Sequence, residues 1–309
     1  MLHSEMLLGI DWGGTKIEIA ALDDAGEEHL RRRIDTPRHD YEASVRVTAD
    51  LVRAAESELG RTCPVGIGIP GSIAPATGLI QNANSHWLIG KPLKEDLESA
   101  LGRELRLEND ANCLALSEGR DGAAAGADTV FAAILGTGCG AGILANRRLH
   151  SGRHRIAGEW GHNPLPAPLP HELPGPPCYC GRAGCLETWI SGTGFARDHR
   201  EQTGQALRAQ EIIEAKRRGD APALDSYQRL LDRLGRALAG VINILDPDIV
   251  VLGGGLSNIP ELYTDLPTHI MPQLFSDVLT TPIVAAHHGD SSGVRGAALL
   301  WCEAGSATA

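Results

Sequence analysis

The chain has 309 residues, enough for two domains of ordinary size, and a formal net charge of −11. That charge repels a polyanion, and the basic run is limited to "RRR" at Arg31 to Arg33, so nucleic-acid binding over a broad surface is excluded. With 42% hydrophobic and 22% charged residues the composition is globular rather than disordered, and 4% aromatics leave the core to Leu, Val, Ile and Ala.

In chain order, "MLHSEMLLGID" lacks a charged leader region, and its apolar run is too short for a signal peptide. "LLGID-WGGTK-IEIAALD" reads as strand, tight glycine turn, strand. A helix follows, with Val47, Leu51, Ala54, Ala55 and Leu59 at helical spacing. "PVGIGIPG" is a short apolar strand, and "LRLENDANCLALSEG" runs from strand to helix with Asn109 and Asp110 at the helix start. The stretch "DGAAAGAD" at Asp121 to Asp128 marks the crossing into a second domain. That domain opens with "TVFAAILGTGCGAGILANRRL", again strand, glycine turn, strand, which makes a weak internal repeat of two related α/β halves. Val130 to Ala145 carries four glycines and suits two strands, whereas a membrane span needs about 20 apolar residues. The expected location is the cytoplasm, with no membrane partner. Seven cysteines there are thiols or metal ligands rather than a disulfide framework.

Seven prolines crowd between His162 and Cys178, so this segment sustains neither a helix nor a central strand. Further on, Leu224, Tyr227, Leu231, Leu234, Leu238 and Ile242 mark a long helix that stops before Pro247. "DIVVLGGGLSN" is a buried strand running into a glycine turn. "DSSGVRGAALLW" is a last helix, capped by Asp290 or a following serine.

Three glycine turns thus follow strands. Glycine lets backbone N–H groups approach a phosphate, and Thr15, Lys16 or Thr137 adds a donor or a charge; the plain alternative is tight hairpins. "GTGCGA" fits a permissive dinucleotide pattern, but that pattern requires a helix next, and "GILANRRL" reads as a strand. Asn109-Asp110 is either an ordinary helix cap or a general base beside a hydroxyl-binding amide. Glu159 and His162 in "GEWGH" and Glu187 after the cysteines are groups that bind a polyol by paired hydrogen bonds. His162, Cys178, Cys180 and Cys185 read as the four tetrahedral ligands of a closed zinc site, although Cys178 and Cys180 are spaced more tightly than usual; the alternative is three unligated thiols in a loop. Cys63, Cys113, Cys139 and Cys302 read as packing thiols.

Together "GIDWGGTK", "NDAN", "GTGCGAG", "GEWGH", "CYCGRAGCLE", "SGTG" and "DIVVLGGG" resemble the ROK (repressor, ORF, kinase) family of sugar kinases and regulators, in the family's order over nearly the whole chain. The resemblance implies an actin/hexokinase-like fold of two ribonuclease-H-like α/β domains with an interdomain cleft. These would be 1–120, with the C-terminal helix 290–305 packing back on it, and 121–289 with a zinc-bound loop. It implies that ATP is met by Gly9, Ile10, Asp11, Trp12, Gly13, Gly14, Thr15 and Lys16 from one side. Gly136, Thr137, Gly138, Cys139 and Gly140 would meet it from the other, with Gly254 and Gly255 by the adenosine. Asp11 would hold hydrated Mg2+. Asn84, Asn109, Glu159, His162 and Glu187 would bind the hexose, and Asp110 would be the base. Zinc on one ring nitrogen of His162 would leave the other N–H to orient on a sugar hydroxyl. "QNANSHWLIGKPL" and "GEWGHNPLP" resemble the fructokinase branch, which also accepts mannose; glucokinase or N-acetylglucosamine kinase is the alternative. A regulator would carry a helix-turn-helix ahead of the first strand, so a non-catalytic sugar sensor is the reading of another class. Dimers are common in the family, so a homodimer is expected.

Overall fold

The computed structural model describes residues 6–83 and 85–302, apart from the side chain of Asp290. The chain divides into two compact units, residues 1–126 with 148–157 and 290–309, and residues 127–147 with 158–289.

In the first unit, β1 (Leu7–Trp12), β2 (Lys16–Leu22), β3 (Glu28–Asp35), β4 (Val65–Ile69) and the later β7 (Arg106–Asn109) form one sheet, in the order β3-β2-β1-β4-β7. β1 pairs antiparallel with β2 and parallel with β4. Between β4 and β7 lie a small hairpin, β5 (Ser72–Ile73) and β6 (Ile80–Gln81), and α2 (Leu93–Leu101). β1 and β4 are apolar along almost their whole length because both faces of the sheet are covered. α1 (Tyr41–Leu59) is capped by Asp40, which accepts from the Ala43 N–H, and ends at left-handed Gly60. Its buried stripe holds Leu51, Val52 and Ala55; Ala54, expected inside, is exposed. α3 (Asp110–Arg120) follows β7 directly.

The C-terminal α9 (Ser292–Leu299) belongs to this unit and lies on β1 and β4. Two strand glycines admit it: a Cβ on Gly9 would sit 1.9 Å from the Val294 carbonyl oxygen, and one on Gly66 1.9 Å from that of Ala297. Of the two expected caps, the Asp290 side chain lies outside the described residues and the serine cap is not made. Ser291 at the N-cap position gives no capping bond and meets Arg31, while the Ser292 hydroxyl donates to the buried Glu118.

The second unit repeats the opening device. β8 (Val130–Leu135) and β9 (Cys139–Ala145) form an antiparallel hairpin, and β8 then pairs parallel with β11 (Ile249–Gly253), which pairs parallel with β12 (Ile283–Ala285). A strand follows the "GTGCGAG" turn, as the rejection of a dinucleotide fold requires. Two-residue β10 (Arg148–Leu149) opens the segment 148–157, which groups with the first unit and departs from the expected division at 120/121. Helices α4 (Glu187–Ile190), α5 (Gly192–Thr203), α6 (Ala209–Arg217), α7 (Ala221–Leu245) and α8 (Glu261–Ile270) complete the unit. The stripe of α7 is buried as spaced from Tyr227 to Ile242, but Leu224 is exposed. Among the described residues no helix is long and apolar enough to cross a membrane. Cys63, Cys113 and Cys139 are buried, whereas Cys302 is exposed.

The proline-rich segment is anchored in its middle, which the sequence reading did not anticipate. Leu165 joins the core of the second unit, and Glu172 is buried against α7. Its carboxylate accepts from Arg233 Nε at 2.8 Å and Arg236 Nη2 at 2.9 Å, and it takes the Leu169 N–H at 2.9 Å. Arg236 also donates to the carbonyls of Pro166 and Ala167. Burial pushes the Glu172 carboxyl up, but the bonds from Arg233, Leu169 and Arg236 outweigh it and hold the carboxyl below its usual 4.5. The stability it contributes is therefore present above pH 4.5 and lost as pH falls through the lower folded value. Glu172→Ala removes the buried carboxylate that Arg233 and Arg236 share, leaving Arg233 to Asp198 and Arg236 to Asp232, so it should cost about 1–3 kcal/mol in urea unfolding at pH 7. The difference from wild type should shrink in acid.

Candidate functional site

In the first unit, the turn Gly13–Lys16 is closed by the Gly13 N–H donating to the Lys16 carbonyl at 2.9 Å. It is held from the end of β3: the Thr36 N–H donates to the Thr15 carbonyl at 3.0 Å and the Thr36 hydroxyl to that of Gly13 at 2.7 Å. Arg38 Nε reaches the Gly14 carbonyl at 3.1 Å. Thr15 is exposed and Lys16 half-buried, so both side chains are available to an anion. Gly9, Ile10 and Trp12 differ. The space over Gly9 is filled by α9, and the Ile10 and Trp12 side chains are core. Asp11 is half-buried with its carboxylate beside Gly293 at the start of α9, where a Cβ would lie 3.4 Å from Asp11 Cγ.

At the β7–α3 junction the cap and the candidate base are different residues. Asn109 is the N-cap: its Oδ1 accepts from the N–H groups of Ala111 at 2.9 Å and Asn112 at 3.4 Å, and its Nδ2 donates to the Gly71 carbonyl at 3.0 Å. Asp110, half-buried, accepts from the Ala111 N–H at 2.8 Å. Glu108, which sequence reasoning missed, is buried behind them and accepts the Asn109 N–H at 3.0 Å. Its position, a glutamate closing a buried strand directly before Asn-Asp, was the available signal. Asn84 lies outside the described residues.

In the second unit, "GEWGH" is pressed onto β9. A Cβ on Gly158 would lie 1.9 Å from the Ala141 carbonyl oxygen, and one on Gly161 1.9 Å from that of Cys139, so both positions need glycine. The Ala141 N–H donates to the Gly158 carbonyl at 2.9 Å, and Trp160 Nε1 donates to the Gly140 carbonyl at 3.1 Å. This seats Glu159 and His162 beside the glycine turn 136–140. Burial pushes the Glu159 carboxyl up; His162 opposes the shift and Glu187 adds to it. Glu187 Oε2 accepts the Cys139 N–H at 3.0 Å, and a Cβ on Gly138 would lie 2.6 Å from that oxygen. The start of α5 braces the same turn, through Gly192 N–H to the Gly136 carbonyl at 2.7 Å and Thr193 hydroxyl to that of Thr137 at 2.6 Å. Gly254 sits against the backbone of Leu135 and Gly136, and Gly255 near Gln210 Nε2.

His162, Cys178, Cys180 and Cys185 each present a donor atom, and all four lie within 4.8 Å of one another. The Cys178 Sγ is 3.5 Å from His162 Nδ1, and Cys180 and Cys185 Sγ are 3.6 Å apart. Tetrahedral zinc, with bonds of about 2.3 Å to sulfur, sets sulfurs about 3.8 Å apart, so the cluster fits that ion. The other ring nitrogen, His162 Nε2, is 3.0 Å from Tyr179 Oη, and the two rings meet edge to face.

The ROK family model matches residues 7–304. The N-acetyl-D-glucosamine kinases of Pectobacterium atrosepticum and Pasteurella multocida are each 41% identical over 96% of this chain, and the matches cover 98% and 99% of their own lengths. Among solved structures, a ROK hexokinase from Thermus thermophilus is 32% identical with a TM-score of 0.84, over 95% of this chain and 97% of that one. A ROK family glucokinase from Streptomyces griseus, solved with glucose and AMPPNP, is 30% identical with a TM-score of 0.78, over 96% and 98%. The two-sheet α/β fold is accordingly of the hexokinase-like type.

Proposed function

This chain belongs to the ROK family, as a sugar kinase using ATP on hexoses, and we propose that its substrate is N-acetylglucosamine, phosphorylated at the 6-hydroxyl. The observation that carries the sugar is similarity over 96% of the chain to two kinases named for that amino sugar. The expected fructokinase branch rests on "NANSHW" and "GHNPLP" alone, two short stretches, and it remains the second reading.

In this reading Asp110 takes the hydroxyl proton as that oxygen attacks the γ-phosphorus of ATP, and ADP leaves. Asn109, Glu159 and Glu187 bind the hexose, and a sugar hydroxyl replaces Tyr179 Oη as the partner of His162 Nε2. The turns 13–16 and 136–140 offer backbone N–H groups to the phosphates, Thr15, Lys16 and Thr137 add side-chain donors, and Gly254 and Gly255 lie by the adenosine. Mg2+, when bound, neutralises phosphate charge, and Asp11 is the residue that would hold it through water. Zinc on His162, Cys178, Cys180 and Cys185 would tie the far end of the proline segment to the histidine.

A coupled ADP-release assay against N-acetylglucosamine, fructose, mannose and glucose should give the highest kcat/KM with N-acetylglucosamine. Preference for fructose would return the chain to the second reading, and no turnover of any hexose would remove the kinase assignment. Asp110→Asn should lower kcat by about 10²–10⁴-fold with hexose binding still measurable. Since Asn109 carries the cap, a merely structural Asp110 predicts activity near that of wild type. Cys180→Ser should lose zinc by elemental analysis and weaken hexose binding far more than nucleotide binding; intact hexose affinity after zinc loss would show that Glu172 alone suffices to hold the segment.

A further inference from the structure

Glu108, next to last in β7, has a side chain only 7% exposed, yet four donors converge on it. Oε1 accepts from the Asn109 N–H at 3.0 Å and Asn112 Nδ2 at 3.0 Å. Oε2 accepts from the Ser151 hydroxyl at 2.9 Å and Arg155 Nη1 at 2.9 Å. Both oxygens accept, so an amide in place of this carboxylate would turn a donor toward half of these partners. The circuit closes through the β5–β6 hairpin. Asn109 Nδ2 donates to the Gly71 carbonyl at 3.0 Å, and Gln81 Nε2 donates to the Ser72 hydroxyl at 3.1 Å and the His154 carbonyl at 3.3 Å.

The backbone of Arg155 has φ of 55°, a left-handed conformation unfavourable for a residue with a side chain. Such strain persists only where surrounding contacts over-determine it. Here the Glu108 ion pair does so, although the Arg155 side chain is 45% exposed. Arg155 stands four residues before Glu159, and Glu108 two before Asp110. One buried carboxylate therefore fixes both the start of α3 and the segment 148–157.

We propose that Glu108, Ser151 and Arg155 are positioning residues for phosphoryl transfer, a carboxylate clamp that holds the Asn109–Asp110 pair in register with segment 148–157. The proposal rests on the kinase reading above. None of the three need touch the sugar. Arg155 and Ser151 orient the carboxylate, the carboxylate orients the Asn109 backbone, and the next residue is the base. Displacing a reacting group by a fraction of an ångström to an ångström costs rate rather than nucleotide affinity.

The decisive variant is Arg155→Gln, because a half-exposed arginine can be replaced without endangering the fold. Its kcat for the preferred hexose should fall about ten- to hundredfold, with the KM for ATP within about twofold of wild type. Glu108→Gln should move kcat the same way and further, and limited trypsin digestion should cut both variants after Arg153 faster than wild type. Wild-type kcat in Arg155→Gln, whatever the digestion shows, overturns the clamp. A wild-type chain that phosphorylates no hexose sinks the kinase reading and the positioning role with it, whereas an active wild type with fully active variants overturns the clamp alone.

Discussion

The second unit depends on one hydrogen bond, from the Cys139 N–H to the carboxylate of Glu187 at 3.0 Å. It fastens the glycine turn 136–140 to the helix start that follows the cysteine cluster, since Cys185 is two residues upstream and α5 begins five residues downstream at Gly192. That same corner supplies Gly192 and Thr193 to the carbonyls of the turn. Behind it, Gly158 and Gly161 lie on the β9 backbone that begins with Cys139. The turn, the Glu159–His162 loop and the thiol cluster are consequently one hydrogen-bonded body. The Cys139 thiol beneath them is pushed well up by burial, then by Glu187 and Glu159, so it packs as a neutral group.

The first unit solves the same problem with other parts. Its hairpin turn is held by Thr36 and Arg38 at the end of β3 rather than by a carboxylate. The start of α3 is held by a buried glutamate one position before the capping asparagine. The repeat seen in the sequence is thus a repeat of strands and turns, while the polar supports around each turn are unrelated. This is the expected outcome when backbone geometry is shared but each turn meets different neighbours.

Legibility followed the range of the interaction. The hairpins, the α7 stripe and the Asn109 cap depend on spacings of two to four residues, which local patterning records. The pinning of the proline segment depends on Glu172 meeting Arg233 and Arg236, 61 and 64 residues away, which no local pattern records. The same holds for Glu108 with Ser151 and Arg155, and for Tyr179 claiming the second nitrogen of His162. Gly9, Ile10 and Trp12 show a different limit: a motif read as a block includes strand residues whose side chains are core. The sugar was read from two short stretches, whereas similarity over the whole chain favours the amino sugar, because a specificity difference is spread over side chains that periodicity does not rank.

The account's central claim is that Glu187 holds the glycine turn to the cysteine-bearing loop. Hydrogen–deuterium exchange on the peptide spanning residues 136–140, in wild type and in Glu187→Gln, tests it directly. An amide at this position offers one acceptor and one donor in place of a charge-bearing pair of acceptors, so the Cys139 N–H bond weakens. The account predicts faster exchange across 136–140 in the variant, with the turn 13–16 of the other unit unchanged. Equal protection of 136–140 in both proteins would contradict it.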